Sequence, residues 1–249
     1  MGVILRPRFF VEFPQLRGGF STPLLGNQSF SRSRVPVHRT RLNREHLARV
    51  LGISAEDFVS PQLVHGKEVL LVGEEHRGNG ALAPGTLVGD GLITGVPNLF
   101  LLTTQADCLP LLFWEPQAQV VAALHAGRRG LLKGILREAV EKMGDFFAIS
   151  PEFLYAAIGP SIRRCCYGVD RETCEEFRKF SGGRYIYFRE DQFYLDLAGA
   201  AKAELLRLGL RQERVEVFSE CTCCGPYFSA RRDGQQNFLT QANVIGVKV

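Results

Sequence analysis

"LPLLFWEPQAQVVAALHAG", residues 109–127, holds two apolar runs separated by a polar turn-like segment. The runs are 109–115 and 120–126, each short enough for a strand. The Pro and Gln between them suit a tight turn, so the stretch reads as an antiparallel hairpin. Two-residue turn geometry at 116–117 would pair Glu115 with Ala118 and Phe113 with Val120. Continued to the open end, that register sets Cys108 opposite His125. Opposed residues of an antiparallel pair share a face and lie ~4.5–5.5 Å apart at Cα. A slip by one residue would separate them onto opposite faces.

Working outward, "DFVSPQLV" and "KEVLLVG" read as strands flanking the turn-like His65-Gly66, and "GDGLITGVPNLFLLTTQ" reads as two strands broken at Gly-Val-Pro. "RGLLKGILREAVEKMG", 129–144, has the apolar spacing of one amphipathic helix. "NREHLARVLGI", 43–53, reads as a short helix ending at Gly52, and "DRETCEEFRKF", 170–180, as a helix capped by Asp170. "FLYAAIG" and "RVEVFSE" read as strands, "YIYF" and "FYLDL" as a hairpin, and "LAGAAKAELLRLGL" as a helix. Strands cluster early and alternate with helices later. The fold class is therefore α+β, with mixed β-sheets and helices packed outside. There is no repeat and no polar linker, so residues 1–249 are expected to form one domain.

The composition, 45% hydrophobic and 22% charged, suits a soluble globular chain. No apolar run approaches the ~20 residues of a membrane span. The N-terminal segment is a poor signal peptide, and Arg6 stands where myristoylation favours Ser or Thr. A cytoplasmic location is expected, with the seven cysteines as thiols or ligands rather than a disulfide framework. A net charge of +4 does not argue for nucleic acid. The basic segment 31–49, with six arginines and one glutamate, lacks interleaved aromatics and reads as a solvated loop entering a helix.

Cys108 and His125 at strand ends need a third ligand to hold a metal. His65, at another strand-to-strand turn, is the best candidate; His38, His46 and His76 read as surface histidines. A Cys-His-His set leaves one position open on tetrahedral zinc, the pattern of a catalytic site. Multicopper chemistry takes roughly ten histidines, and this chain has five, with no axial Met near the trio. Zinc is therefore expected over copper. The first-turn amides after Gly127, and Arg231 and Arg232, are candidate anion donors, although an Arg pair beside Asp233 also suits a surface ion pair. Asp107 is expected on the opposite strand face from Cys108, acting on the site indirectly. Cys165, Cys166 and the run Cys221–Cys224 could form a second thiolate cluster. Adjacent cysteines rarely both reach one ion, so they are expected to be buried or idle thiols.

"GGFS" (18–21), "NR" (43–44), "QLVHG" (62–66), "DGLIT" (90–94), "ADCLPLLF" (106–113), "HAGRRGL" (125–131), "AAIGPSI" (156–162), "YLDL" (194–197), "CT" (221–222) and "FSARRDG" (228–234) occur in the order of the laccase-domain family, which the chain resembles across nearly its whole length. That family is also called polyphenol oxidase, purine nucleoside phosphorylase-like or peptidoglycan-editing-factor-like. The resemblance implies layered mixed sheets between helices, an αββα arrangement similar to a Cys-His hydrolase-type toxin fold. It implies a metal and catalytic trio of His65, Cys108 and His125, with Cys221 near the site. Asn43, Gln62, Arg231 and Arg232 are then the candidate substrate contacts. It further implies phosphorolysis of adenosine, inosine or methylthioadenosine and deamination of adenosine, with a nucleoside and phosphate as partners. The chain departs from the family at Arg128, where "HAGWRG" is usual, and after Asp233. A metal-free Cys-His hydrolase acting on cell-wall precursors, with Cys108 as nucleophile and His125 as base, is the alternative. A non-enzymatic binding protein is a third.

Overall fold

The computed structural model describes residues 2–31 and 35–249; Met1 and residues 32–34, which include Arg32 and Arg34 of the basic segment, lie outside it. In chain order the strands are β1 (Ile4–Leu5), β2 (Leu16–Ser21), β3 (Phe58–Val59), β4 (Val69–Leu71), β5 (Gly91–Thr94), β6 (Phe100–Gln105), β7 (Leu109–Glu115), β8 (Val120–Ala126), β9 (Tyr155–Ile158), β10 (Gly168–Val169), β11 (Ile186–Arg189), β12 (Gln192–Leu195), β13 (Val215–Val217) and β14 (Gln241–Val247). The helices are α1 (Phe9–Glu12), α2 (Val37–Leu51), α3 (Arg128–Lys133), α4 (Ile135–Phe147), α5 (Arg171–Ser181), α6 (Leu197–Arg207) and α7 (Ala230–Asp233).

Two mixed sheets carry the fold. One has the order β1-β2-β14-β6-β3 and the other β13-β9-β7-β8-β5-β4. The hairpin β10-β12-β11 adds a small third sheet. On β7, Leu109, Leu111 and Phe113 pack with Ala139, Met143 and Leu205 of α4 and α6. The alternate residues Leu112 and Trp114 face Leu101 and Ile245 of the other sheet. The far side of that other sheet buries Phe100 and Val244 against Leu47 and Leu51 of α2. The layers are therefore helix, sheet, sheet, helix. Because β7 and β8 are covered on both faces, their sequences are continuous apolar runs rather than alternating ones.

The hairpin register differs from the one expected. The turn has four residues, 116–119, and Glu115 pairs with Val120, Phe113 with Ala122 and Pro110 with His125. Gln119 takes a left-handed φ of 54°, and the Ala118 amide donates to the Glu115 carboxylate at 2.5 Å, which together favour the longer turn. The shift is by two residues, so side-chain parity is kept. Cys108 lies diagonally from His125 instead of opposite it, and both remain on the face between the sheets.

Other boundaries moved for physical reasons. The helix expected over 43–53 begins at Val37 and ends at Gly52, whose φ of 69° suits a left-handed cap. Its first turns escape a periodicity reading because Val37 and Leu42 are exposed while the charged Arg44 is buried. Most of the basic segment is therefore helix, not loop. The single helix expected over 129–144 is two helices, broken at Gly134 with φ 88°. "DFVSPQLV" keeps only Phe58–Val59 as a paired strand, plus an isolated bridge from Gln62 to Val88.

Candidate metal centre and cleft

Cys108 precedes β7 and His125 closes β8, so the hairpin's open end presents both toward the layer between the sheets. His65 enters from the loop between β3 and β4, with φ 57°. A non-glycine residue in this left-handed region is uncommon and costs of order 1–3 kcal/mol, a strain that clusters at functional sites. The ligand atoms of His65, Cys108 and His125 all lie within 4.8 Å of one another. The two imidazole rings are 4.9 Å apart and perpendicular.

Asp90, just before β5, organises this group. Its Oδ1 accepts from Nδ1 of His125 at 2.9 Å and from the His65 amide at 2.9 Å. Its Oδ2 accepts from the Gly66 amide at 2.7 Å. A carboxylate in this position fixes the imidazole with its proton on Nδ1 and frees Nε2 as a ligand atom. Asp90 stands in the "DGLIT" motif, but its role was missed because nothing in the spacing links it to residue 125. The available signal was a buried-type acid at the start of an apolar strand.

The electrostatics are those of a thiolate–imidazolium pair when no ion is bound. Burial opposes ionisation of Cys108, but the charge and hydrogen bond of His125, then those of His65, bring its thiol down to about 6. Burial also opposes the His125 cation, yet Cys108 and Asp90 raise it to about 9. Asp90 is held below the usual carboxylate range: burial works against ionisation, and the His125 and Gly66 hydrogen bonds outweigh it. An anionic sulfur, two nitrogen donors and a carboxylate behind one ring form a donor set that suits zinc. Gly127 leaves room for it, since a Cβ there would stand 2.9 Å from the Cys108 sulfur.

The trio opens into a cleft of about 290 Å³ between the sheet ends, lined also by Leu63, Gln105, Tyr167, Arg231 and Phe238. That volume is near the lower end of the ~300–1,000 Å³ typical of small-ligand sites. Among the expected substrate contacts, Arg231 shares this cleft. Its Nη1 donates to the Gly168 carbonyl at 2.9 Å, and its guanidinium lies 5.3 Å from the Tyr167 ring. Arg232 turns away: it pairs with Asp233 and donates to the carbonyls of Cys223, Gly225 and Tyr227. Gln62 lies in an adjoining groove and donates to the Gly85 carbonyl at 2.5 Å. Asn43 donates to the Asn27 carbonyl at 2.9 Å and does not line the cleft. The helix after Gly127 has only six residues, and Arg128 pairs with Glu176 on the surface.

Asp107 differs from its expected place. It precedes the strand rather than lying within it, at φ 95°. Its Oδ1 accepts from the Thr222 hydroxyl at 2.6 Å and its Oδ2 from the Arg231 amide at 2.7 Å. It thus positions the cleft wall that carries Arg231.

A helix-sheet-sheet-helix arrangement with a Cys-His-His group at the sheet ends forms a candidate metal centre, and comparison with known sequences gives the chain's family. The family described as "Multi-copper polyphenol oxidoreductase laccase" matches residues 15–248, and the chain belongs to that family. Among curated relatives, "Purine nucleoside phosphorylase" of Deinococcus radiodurans is 38% identical over 82% of this chain and 76% of its own length. "Adenosine deaminase RL5", from an unknown prokaryotic organism, is 31% identical over 76% of this chain and 74% of its own length. The crystal structure of YlmD from Geobacillus stearothermophilus superposes with a TM-score of 0.91 at 28% identity, covering 100% of both chains. Among the described residues, no helix is long and apolar enough to cross a membrane.

Proposed function

We propose that this chain is a zinc-dependent purine nucleoside enzyme, cleaving adenosine, inosine or methylthioadenosine with phosphate and deaminating adenosine. The observation that carries the reading is the convergence of His65, Cys108 and His125, braced by Asp90, at the floor of a cleft with Arg231 in its wall. The names of the relatives from Deinococcus radiodurans and of RL5 support the two reactions.

Held by this trio, zinc would supply a Lewis acid with one open coordination position. The chain's own groups supply the rest. Tyr167 and Phe238 offer flat apolar surface to a purine, and Gln105 offers amide hydrogen bonds. Arg231 offers a planar cation suited to phosphate. In phosphorolysis a phosphate oxygen bonds to the anomeric carbon while the glycosidic C–N bond breaks and the purine leaves with a proton. In deamination water adds to the ring carbon bearing the amino group and ammonia leaves. The five histidines of the chain, only two of which meet, do not fit a multicopper cluster.

A second reading rests on the depressed Cys108 thiol and the raised His125 imidazole, the charge state of a Cys-His hydrolase. Metal analysis with a nucleoside assay, run with and without phosphate, separates the readings. Phosphate-dependent release of base, lost on chelation, is the expected result. Amide hydrolysis that survives chelation, with neither base nor ammonia released from nucleosides, would overturn it. A cytoplasmic location accords with the thiol-rich composition.

A further inference from the structure

Cys165 and Cys166 are separated from Cys221 and Cys224 by 54 intervening residues, yet all four sulfurs lie within 4.8 Å of one another. We propose that these four cysteines form a second, structural zinc site that clips together the loops following β9 and β13. The inference does not rest on the nucleoside reading or on the His-Cys-His trio.

Three observations support it. First, the spacing fits. Tetrahedral zinc with sulfur bonds of ~2.3 Å sets its sulfurs ~3.8 Å apart. The Cys165 and Cys224 sulfurs are 3.8 Å apart, much farther than the ~2.05 Å of a disulfide. Secondly, Cys221 and Cys224 stand as C-x-x-C around Thr222 and Cys223, a spacing typical of zinc sites. Reading the run as adjacent cysteines hid this. The expectation of idle thiols is replaced by a cluster that lacks only Cys223 and the distant Cys174 and Cys108.

Thirdly, a backbone donor and two arginines stand around the cluster. The Arg163 amide donates to the Cys221 sulfur at 3.4 Å. The Arg163 guanidinium is fastened to the carbonyls of Gly159, Phe218 and Glu220, placing a half-buried cation beside the cluster. Arg189 holds the Cys165 carbonyl at 2.5 Å. Four thiolates around Zn²⁺ carry a net charge of −2, which such cations and amides offset.

The site also has a structural task. A bridge joins Ser161 to Cys221, and Thr222 donates to Asp107, the residue before Cys108. The loop after β9 also delivers Tyr167 to the cleft. Closing a loop of 54 residues with one ion gives large entropic constraint for a small contact area.

The test uses Cys108→Ala, which removes the only sulfur from the His-Cys-His group. Purified under reductant and reconstituted with Co²⁺, this variant is expected to show strong sulfur-to-cobalt charge-transfer absorption from the second site. Wild-type protein should carry about two zinc ions per chain, and Cys165→Ser with Cys224→Ser about one, following the tetrahedral site count. If the double variant fails to fold, the cobalt spectrum of Cys108→Ala still decides. No charge-transfer absorption in that variant would overturn the proposal. So would a Cys165–Cys224 disulfide found by mass spectrometry in protein kept under reductant. Failure of the nucleoside assay alone would leave the metal count unchanged and would bear only on the proposed reaction.

Discussion

The carboxylate of Asp90 stands 2.9 Å from Nδ1 of His125 and 2.9 Å from the amide of His65, so one side chain sets the position of two candidate ligands. Replacing it should loosen the metal without dismantling the fold. Asp90→Asn keeps one oxygen acceptor but loses the charge. Zinc affinity, measured by chelator competition, is expected to fall by about 10–100-fold, the usual effect of losing a partner behind a ligand. An unchanged affinity would show that Asp90 does not support the centre.

Gly127 provides a steric test. Its backbone lies in the extended region at φ −71°, so alanine brings no conformational strain. The new Cβ would meet the Cys108 sulfur at 2.9 Å and the His65 ring at 3.3 Å. Gly127→Ala should lower zinc content and reduce kcat/KM at least ~10-fold, roughly 1.4 kcal/mol in barrier, with thermal stability nearly unchanged. Full metal content and activity would mean that the sulfur has more freedom than this geometry gives it.

Metal-free protein should reveal the charge pair by its pH dependence. The Cys108 thiol is depressed to about 6, so its thiolate is present at neutral pH and is lost as pH falls through that value. Alkylation of Cys108 by iodoacetamide should therefore hold a plateau near neutrality and fall to half near pH 6. In His125→Ala the midpoint should move upward, because the cation that favours the thiolate is gone. An alkylation midpoint at ordinary thiol values in the unaltered chain would remove the pair.

Arg231 and Arg232 are adjacent in sequence but have separable tasks. Arg231→Ala is expected to raise KM for phosphate by at least ~10-fold, with Arg231→Lys recovering only part, because lysine lacks the planar fork. Arg232→Ala should leave that KM alone and cost about 1–2 kcal/mol of stability through its lost carbonyl contacts. Steady-state kinetics and thermal melts on both variants check the pair. Equal effects on KM would refute the division.

Much of the centre was legible from residue types and strand parity. The hairpin's register was displaced by two residues, yet period-two geometry kept Cys108 and His125 on one face, so the two side chains still converge. What escaped had specific causes. β14 was not read as a strand because Gln241 and Asn243 interrupt its apolar pattern. In the fold Asn243 is buried and donates to Gln105 at 2.6 Å. β2 was hidden by Gly18-Gly19, whose φ values of 140° and 127° place them against neighbouring backbone where no Cβ fits. Arg44 sits at a core-facing helix position, bonded to the Gln28 and Ala81 carbonyls. Such polar residues satisfied at long range carry no local signature. The bond from His125 to Asp90, 35 residues away, is of the same long-range kind.

Asp107 and Cys108 share a peptide bond, with one carboxylate bracing the wall that bears Arg231 and one sulfur facing the imidazoles. An ion drawing on that sulfur and an anion drawing on that arginine therefore pull on two ends of the same short lever. Their dissociation constants are thermodynamically linked: whatever factor zinc imposes on phosphate affinity, phosphate must impose on zinc.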